Sequence, residues 1–373
     1  MFKLKPGFAN AMPFWMSLCL VPMVALSAIY GGVFLVLVPV FAFALLTLLD
    51  YITSRETESM DPETKAEKLF WYRLITLIWA PIQLVLMAVV IVSIGRFDHH
   101  SAVECVALTI VLGMATGSIG INYAHELVHQ KSRLERALGE LLLISTAYGH
   151  FKSEHVFIHH RHVGTPRDSV TARYDESFYR FFLRCIPGQF VSALRFENGR
   201  LRFQNLPAYS VKNPYWRYVI GALAFAIAAY LLGGWVGVAV WCGQAFVAVL
   251  YLELVNYVEH YGLTREHLGD GKYETVKPHH SWNADHRFTN FLLINLQRHS
   301  DHHYKPQRAF PVLQTYPGRQ APLLPHGYPM MALWALIPPL WRARMNPKVD
   351  RWRARHYPEI TDWGPYSDGT TPV

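Results

Sequence analysis

Residues 216–257 read WRYVIGALAFAIAAYLLGGWVGVAVWCGQAFVAVLYLELVNY, and this stretch decides the fold. It is almost wholly apolar, and the pair Gly233 and Gly234 divides it into two runs, 216–232 and 235–257. A helix needs about 20 apolar residues to cross a hydrocarbon core of about 30 Å. Each run is close to that length, so the stretch predicts two membrane-spanning helices joined by a very short turn.

The same pattern occurs again nearer the N-terminus. Four further spans are predicted at residues 14–30, 33–53, 70–95 and 103–124. The composition agrees, because 51% of the residues are hydrophobic and 17% are charged, whereas about a quarter are charged in soluble proteins. The sequence therefore predicts an all-α, multi-pass integral membrane protein with six transmembrane helices, forming a single domain over residues 1–373.

The charged residues between the spans predict an orientation. The short links at 30–33, 96–102 and 233–235 contain one basic residue, Arg96, whereas Lys and Arg are frequent in the polar segments 131–214 and 264–373. Basic residues gather on the cytoplasmic side of membrane proteins. We therefore expect both termini and both polar segments on the cytoplasmic side of a bacterial inner membrane.

Charge and cysteine content exclude several other classes. The formal net charge is +8, but no basic stripe with stacking aromatic residues on a soluble module is present, so nucleic-acid binding is not expected. The four cysteines, Cys19, Cys105, Cys185 and Cys242, include no closely spaced pair. They therefore predict neither a disulfide framework nor a zinc or iron–sulfur site.

Nine of the nineteen histidines are concentrated in four short segments. These are HELVH (125–129), EHVFIHH (154–160), NYVEHYGL (256–263) and QRHSDHH (297–303). Helical residues four apart share a face, which predicts three pairs of parallel imidazoles: His125/His129, His155/His159 and His299/His303. The topology places all four segments at one membrane face, in a histidine-rich cap of helices and loops. The candidate metal-ligating and catalytic residues are His125, His129, His155, His159, His160, His260, His299, His302 and His303.

The number of imidazoles indicates which metal they bind. Imidazole suits iron, copper, nickel and zinc, but nine ligands exceed the four of a tetrahedral zinc site. Four or five nitrogens on each of two ions, with positions open for O2, favour a di-iron centre. HELVH also resembles the zinc-protease motif HExxH, in which the glutamate is the base. A metal transporter is the alternative from another class, but the histidines lie at span ends and not at mid-membrane depth.

Other polar residues near these segments have supporting roles or none. Metal-bound imidazoles usually donate their second N–H to a carboxylate, and the candidates for this role are Glu126, Glu154, Asp168, Glu259 and Asp301. His150 and His162 are expected beside the ligands. His279, His280 and His286 could cover the site, although their roles stay open. His99 and His100 are expected on the opposite face, and His326 and His356 at the surface.

These segments resemble those of the membrane-bound alkane 1-monooxygenases. The matching stretches are HELVH (125–129), EHVFIHHRHVGTPRDSVTAR (154–173), LELVNYVEHYGL (252–263) and LQRHSDHHYKP (296–306). The resemblance covers about residues 40–315. It implies two non-haem iron ions held by the nine histidines, and O2-dependent terminal hydroxylation of n-alkanes to 1-alkanols. It also implies rubredoxin as the electron donor, reduced by an NADH-dependent rubredoxin reductase.

Three questions stay open at this point. The related reactions of fatty-acid desaturases, fatty-acid hydroxylases and xylene monooxygenases are the closest alternatives. No cysteine pair follows His303, so either the rubredoxin is a separate protein or a fused one has been removed. An alkane has no polar group, so shape must position it, and we expect an apolar tunnel from the lipid to the iron. The sequence determines neither its lining nor the preferred chain length or oligomeric state.

Overall fold

The structure is a computed structural model that describes residues 4–370, and no β-strand occurs in that range. Its helices are α1 (Phe8–Tyr30), α2 (Gly32–Ile52), α3 (Ala66–Arg96), α4 (Ala102–Val128), α5 (Arg133–Ser145), α6 (151–162), α7 (Phe178–Phe203), α8 (Tyr215–His260), α9 (Arg287–Leu292), α10 (His299–Tyr304), α11 (Tyr328–Ala335), α12 (Pro338–His356) and α13 (Gly364–Asp368). Short 3-10 turns lie at Pro278–His280 and Phe310–Val312. The all-α prediction is therefore confirmed for the described residues.

Five helices within residues 4–370 are long and apolar enough to cross a membrane, namely α1 to α4 and α8. Length and apolar character together define a membrane protein. The helices extend beyond the predicted bounds, most clearly at α1, which begins at Phe8 instead of residue 14. The first turns of α1 are apolar enough to pack on α3, where the Phe8 and Trp71 rings lie 5.0 Å apart.

α8 is not one straight helix. Gly234 has a φ of 62° and a ψ of −154°, a conformation that a residue with a side chain adopts only at a cost. The chain doubles back at this point, because Gly237 lies against the carbonyl of Ala229 and the rings of Tyr230 and Trp235 are 5.2 Å apart. The glycine pair therefore separates α8 into two antiparallel arms, at the position where the sequence predicts a turn.

Small residues let the membrane helices approach closely. A Cβ on Gly95 in α3 would meet the backbone of Gly233 at the tip of α8, and one on Gly117 in α4 would meet the backbone of Ala248. Close backbone approach at glycine is a general means of packing helices in lipid. The Gly117 contact sets α4 against the second arm of α8, and both helices carry candidate ligands at or directly after their C-terminal ends.

α5 packs against α3 and the second arm of α8. Trp241 Nε1 and Gln244 Nε2 on α8 donate to the carbonyl of Ser145 at 2.9 and 3.1 Å. Gln83 Nε2 on α3 donates to the Ser145 hydroxyl at 2.9 Å. Because these polar groups are buried and mutually satisfied, they specify one arrangement of the three helices. α5 thereby leads the chain directly into α6, which carries three of the nine histidines.

Candidate metal centre

The nine histidines singled out by their spacing converge in the structure as two adjacent groups. The five-histidine group contains His125, His129, His155, His160 and His302, and the four-histidine group contains His159, His260, His299 and His303. Within each group, one ring nitrogen per residue lies within 4.8 Å of all the others. Four separate segments of the chain thus place their imidazoles in one buried region, and metal binding by these rings stays a prediction.

The ring nitrogens point towards each other within each group. In the five-histidine group, His160 Nε2 lies 3.0 Å from His155 Nε2 and 3.2 Å from His129 Nε2. In the four-histidine group, His299 Nε2 lies 3.0 Å from His303 Nε2 and 3.2 Å from His260 Nε2. The groups are in contact with each other, because the rings of His160 and His303 have centroids 4.7 Å apart.

The winding of α6 decides how its three histidines are shared. Residues His155–His159 form a π-helical segment, in which the turn is wider than in an α-helix. His155 therefore pairs with His160, five residues on, while His159 Nε2 lies 3.2 Å from His303 Nε2 in the other group. His155 and His159 do lie near each other, with ring centroids 5.2 Å apart, but the wider turn assigns them to different groups.

The other two predicted pairs keep their α-helical spacing. His299 and His303 lie one turn apart on α10 and belong to the same group. His125 and His129, at the C-terminal end of α4, also share a group, with ring centroids 5.3 Å apart. His260 is the last residue of α8. The chain turns directly after it at Gly262, whose φ of 70° and tight contact with Val349 leave no room for a side chain.

The protonation state of the rings suits metal binding. Burial, together with the neighbouring imidazoles, lowers the pKa of His129 to about 4. The same causes hold the pKa of five further rings well below its usual range: His155, His160, His299, His302 and His303. A neutral imidazole keeps a lone pair on one ring nitrogen, which is the form that binds metals.

Whether metal ions fit here can be judged from ring nitrogens that have no hydrogen-bond partner. His125 Nε2 and His302 Nε2 are buried and have no hydrogen-bond partner among residues 4–370. A buried polar atom without a partner is costly, and most such atoms in native proteins are satisfied. A cation at the centre of the group would satisfy both nitrogens together with their neighbours. The donor set, all imidazole and buried, therefore fits iron or another transition metal.

Asp168 orients one of the candidate ligands. Its Oδ2 lies 3.0 Å from His159 Nδ1 and also accepts from the Thr171 hydroxyl at 2.7 Å. Burial raises the pKa of the Asp168 carboxyl, but the charge and hydrogen bonds of these donors outweigh it, so the net pKa is lowered. An ionised Asp168 keeps the His159 proton on Nδ1 and leaves Nε2 free to bind a metal.

Glu259 lies beside the four-histidine group, without a hydrogen bond to an imidazole of that group. Its Oε1 lies 3.2 Å from His299 Nδ1 and accepts a hydrogen bond of 2.8 Å from the Tyr328 hydroxyl. Tyr328 belongs to α11, far from the histidine motifs in the sequence, and its role has no signal in the motifs themselves. Asp168 and Glu259 are thus the two carboxylates that contact candidate ligands, among the five predicted to do so.

The other three predicted carboxylates have different contacts in the described part of the chain. Glu126 accepts from Gln130 Nε2 at 2.7 Å and from the backbone N–H of Phe310 at 3.2 Å. Asp301 accepts from Arg308 and the Tyr316 hydroxyl, both at 2.6 Å. Neither accepts a hydrogen bond from an imidazole, in contrast to the prediction, because Gln130 and segment 305–316 supply other donors. These two carboxylates therefore fasten that segment over α4 and α10.

Glu154 is the third of these carboxylates. Both of its oxygens are buried without a hydrogen-bond partner among the described residues. Burial, with the nearby carboxylates Asp168 and Glu253, raises the pKa of Glu154 well above its usual range. The predicted contact with an imidazole is absent from residues 4–370 here too.

A third cluster of potential ligands, formed by Glu274, His279 and His280, differs from the two histidine groups. The backbone N–H of Lys277 donates to His280 Nδ1 at 2.9 Å, so the proton of this ring must lie on Nε2. His280 Nε2 in turn faces the Tyr357 hydroxyl at 2.7 Å and Glu274 Oε1 at 3.2 Å. Both nitrogens are therefore engaged, and the cluster is a hydrogen-bonded network.

The remaining histidines lie outside the two groups. His286 Nδ1 is 3.1 Å from Arg55, and the buried His150 packs on Tyr148 and Phe190. His162 is half-buried at the end of α6. His99 and His100 contact the carbonyl of Ala28 at the other end of the helices, as expected from the sequence.

An apolar cavity between the helices ends at the two histidine groups. His125, His155 and His299 form part of its wall. The rest of the wall is mostly apolar and comes from α1, α2, α4, α8, α9, α11 and the residues that follow α9: Leu20, Val38, Ala42, Phe43, Met114, Ile121, Leu252, Val255, Leu292, Leu293, Leu296 and Ala332. Polar residues other than histidine also line it: Ser118, Asn122, Asn256, Glu259, Thr289 and Tyr328. The structure thus contains a cavity of the kind that an alkane requires.

Fold and site together define a class: all-helical membrane proteins with a buried, histidine-rich candidate metal centre at the end of an apolar cavity. The fatty acid desaturase family model matches residues 101–334. The chain is 41% identical over 314 residues to alkane 1-monooxygenase 1 of Pseudomonas aeruginosa, covering 82% of this chain and 81% of that protein. It is 38% identical over 322 residues to alkane 1-monooxygenase 2 of Alcanivorax borkumensis, covering 83% and 81%.

A more distant relative is the xylene/toluene monooxygenase hydroxylase component of Pseudomonas putida, at 26% identity over 330 residues, covering 87% of this chain and 86% of that protein. The chain belongs to the alkane 1-monooxygenase family, within the larger fatty acid desaturase family. The resemblance seen in the sequence motifs is thereby confirmed.

Proposed function

We propose that the protein is an alkane 1-monooxygenase, which hydroxylates the terminal carbon of an n-alkane to give a 1-alkanol. One oxygen atom of O2 enters the alcohol and the other leaves as water, with consumption of two electrons and two protons. The observation that carries this proposal is the apolar cavity that ends on buried imidazoles. An alkane fits the cavity, and the imidazoles supply ligands for a redox metal.

The proposed metal is iron, with one ion held by each histidine group. The five-histidine group would use His125, His129, His155, His160 and His302, and the four-histidine group His159, His260, His299 and His303. When bound, iron would supply the activation of O2 that an unreactive C–H bond requires. Two groups of five and four nitrogens support two ions, because a single ion does not accept nine ligands.

The protein's own residues position ligands and substrate. Asp168 holds the Nδ1 proton of His159, and Glu259 lies against His299 with Tyr328 behind it. The apolar wall of the cavity excludes water from the reacting carbon. Burial of the alkane contributes about 0.8 kcal/mol per CH2 group, so the length of the cavity would set the preferred chain length.

The proposed topology has six spans in the bacterial inner membrane, with the centre and both termini in the cytoplasm. The reversal of α8 at Gly234 supports two spans in that helix, in addition to α1 to α4. His129 follows the last residue of α4 and His260 ends α8, so the histidines lie at one end of the helices. The basic segments 131–214 and 264–373 support a cytoplasmic location for that end. We propose a single domain over residues 1–373.

We propose rubredoxin, reduced by an NADH-dependent rubredoxin reductase, as the electron donor. The surface of α12 supports a negatively charged partner, because it carries several basic side chains that are at least partly exposed: Arg342, Arg344, Lys348, Arg351 and Arg355. Complementary charge accelerates the encounter of two proteins and selects the partner. The activity should therefore fall with rising salt concentration.

Product analysis of the purified protein tests this function. The full chain in lipid would be supplied with iron, rubredoxin, its reductase and NADH, and offered octane, hexadecane, xylene and an acyl lipid. We expect 1-alkanols as the main products. Benzylic alcohols or desaturated acyl chains in their place would favour the xylene monooxygenase or desaturase alternatives. The higher identity to alkane 1-monooxygenases argues against the xylene alternative.

A further inference from the structure

The outward side of α7 is an apolar surface that the metal centre does not use. One side of this helix is buried in the protein along a regular stripe that includes Phe181, Cys185 and Gln189. On the opposite side, Leu183 is 75% exposed, and Tyr179, Phe190 and Val191 are also exposed. An outer helix that faces water usually carries charged residues there, so this surface faces something less polar.

The contacts of α7 with α8 show its depth relative to the membrane helices. The ring of Phe182 lies 6.2 Å from that of Phe246 on the second arm of α8. Phe246 is itself 59% exposed and precedes His260 by roughly four helical turns. Closer to the end of α8, the rings of Phe181 and Tyr257 lie 5.5 Å apart, and Gln189 Nε2 donates to Glu253 at 2.7 Å. The first half of α7 therefore lies beside about the last two turns of α8, and the Phe182 ring reaches further along it.

α7 crosses from one arm of α8 to the other. Towards the first arm, the Tyr215 hydroxyl donates to the carbonyl of Phe190 at 2.8 Å, and the two rings are 5.5 Å apart. At its beginning, the Tyr179 hydroxyl donates to the carbonyl of Leu336 at 2.8 Å, next to the exposed Ile337. The apolar surface is thus continuous from Ile337 along α7 to the membrane helices.

The charged residues of α7 complete an amphipathic pattern. Its exposed positions in the first half are mostly apolar, apart from Arg180, whereas those in the second half include Arg195 and Arg202 next to Phe203. Long arginine side chains can lay their carbon stems on an apolar surface while the charged group reaches outward. Such groups attract the anionic headgroups of a membrane surface.

We propose that α7 lies in the plane of the membrane, with Tyr179, Leu183, Phe190 and Val191 immersed where the acyl chains meet the lipid headgroups. The proposal rests on the passage of α8 through the bilayer, which is part of the proposed function. Within the otherwise polar segment 131–214, it assigns a lipid-bound helix that holds α6 and its histidines close to the membrane.

Spin labels in reconstituted vesicles test this placement. Cys19, Cys105 and Cys242 would be replaced by serine, and a single nitroxide attached in turn to Leu183→Cys, Val191→Cys, Arg195→Cys and Phe246→Cys. The vesicles would contain phosphatidylcholine with a minor fraction of phosphatidylglycerol. O2 partitions into lipid and a nickel chelate stays in water, so the ratio of their collision rates reports the surroundings of each label.

We expect the O2-to-nickel ratio at Leu183 and Val191 to be several-fold higher than at Arg195 and lower than at Phe246, which lies deeper on the spanning arm of α8. High nickel accessibility at Leu183 and Val191, with Phe246 still in lipid, would overturn the α7 proposal alone. High nickel accessibility at Phe246 as well would show that the second arm of α8 does not cross the bilayer. Labels at Leu183 and Val191 that neither reagent reaches would show a protein partner or a second copy on this surface, and would also overturn the proposal.

Discussion

The two histidine groups of the centre and the cluster of Glu274, His279 and His280 all bring neighbouring histidines together in buried surroundings. They differ in what the ring nitrogens contact. In the groups, ring nitrogens face each other at 3.0 to 3.2 Å, and some have no partner within residues 4–370. In the cluster, His280 accepts from a backbone N–H and donates to Tyr357 or Glu274. Proximity of histidines therefore does not define a metal site, whereas unshared lone pairs aimed at one point do.

The largest expected effect comes from removing one candidate ligand. His299→Ala should abolish metal binding in the four-histidine group and lower alkane hydroxylation by on the order of 10³-fold or more, since the reaction depends on the metal. Metal analysis and gas chromatography of the products measure both. His99→Ala, at the other end of the helices, is the matched control. A His299→Ala variant that keeps full metal content and activity would show that the ligand assignment is wrong.

A smaller effect is expected at the carboxylate that orients His159. Asp168→Asn removes the charge that keeps the His159 proton on Nδ1, and loss of such a contact typically costs 10- to 100-fold in metal affinity or activity. Titration of the metal-free protein with Fe²⁺ measures the affinity. Glu274→Gln provides the contrast, because the cluster should not contribute to metal binding. Equal losses in the two variants would remove the distinction between groups and cluster.

The cluster should affect stability instead. His280→Ala leaves Glu274 and Tyr357 buried with fewer partners, and an unsatisfied buried polar group costs about 1–3 kcal/mol. We expect a lower midpoint of thermal unfolding in lipid or detergent, with metal content unchanged. Tyr357→Phe should also lower the midpoint of thermal unfolding, by a smaller amount. A drop in bound metal in either variant would mean that the cluster is a metal site after all.

The smallest expected effect is that of Glu274→Gln on the stability that the protein gains when metal is added. Metal that binds only the folded state raises its stability, so metal addition should raise the unfolding midpoint of the wild type and of Glu274→Gln by the same amount. Differential scanning fluorimetry with and without Fe²⁺ measures this. A reduced gain in Glu274→Gln would show that metal bound at the cluster contributes.

Much of this architecture was predictable from sequence, because apolar runs predict membrane helices and histidine spacing predicts ligands. The division of α8 at Gly233 and Gly234 follows from composition alone. The sharing of His155, His159 and His160 between groups does not, because π-helical winding depends on packing around α6. The residues that line the cavity also cannot be predicted from composition, since an apolar residue of a membrane helix can face lipid, a neighbouring helix or a cavity. The contacts of Glu126 and Asp301 depend on segment 305–316, which no motif links to them.

The central claim is that nine imidazoles from four segments hold two metal ions beside the apolar cavity. An experimental density map of the full chain, purified in lipid with iron, tests it most directly. The account predicts two strong metal peaks, one enclosed by His125, His129, His155, His160 and His302 and the other by His159, His260, His299 and His303. A single peak, no peak, or a peak held by Glu274 and His280 would contradict it.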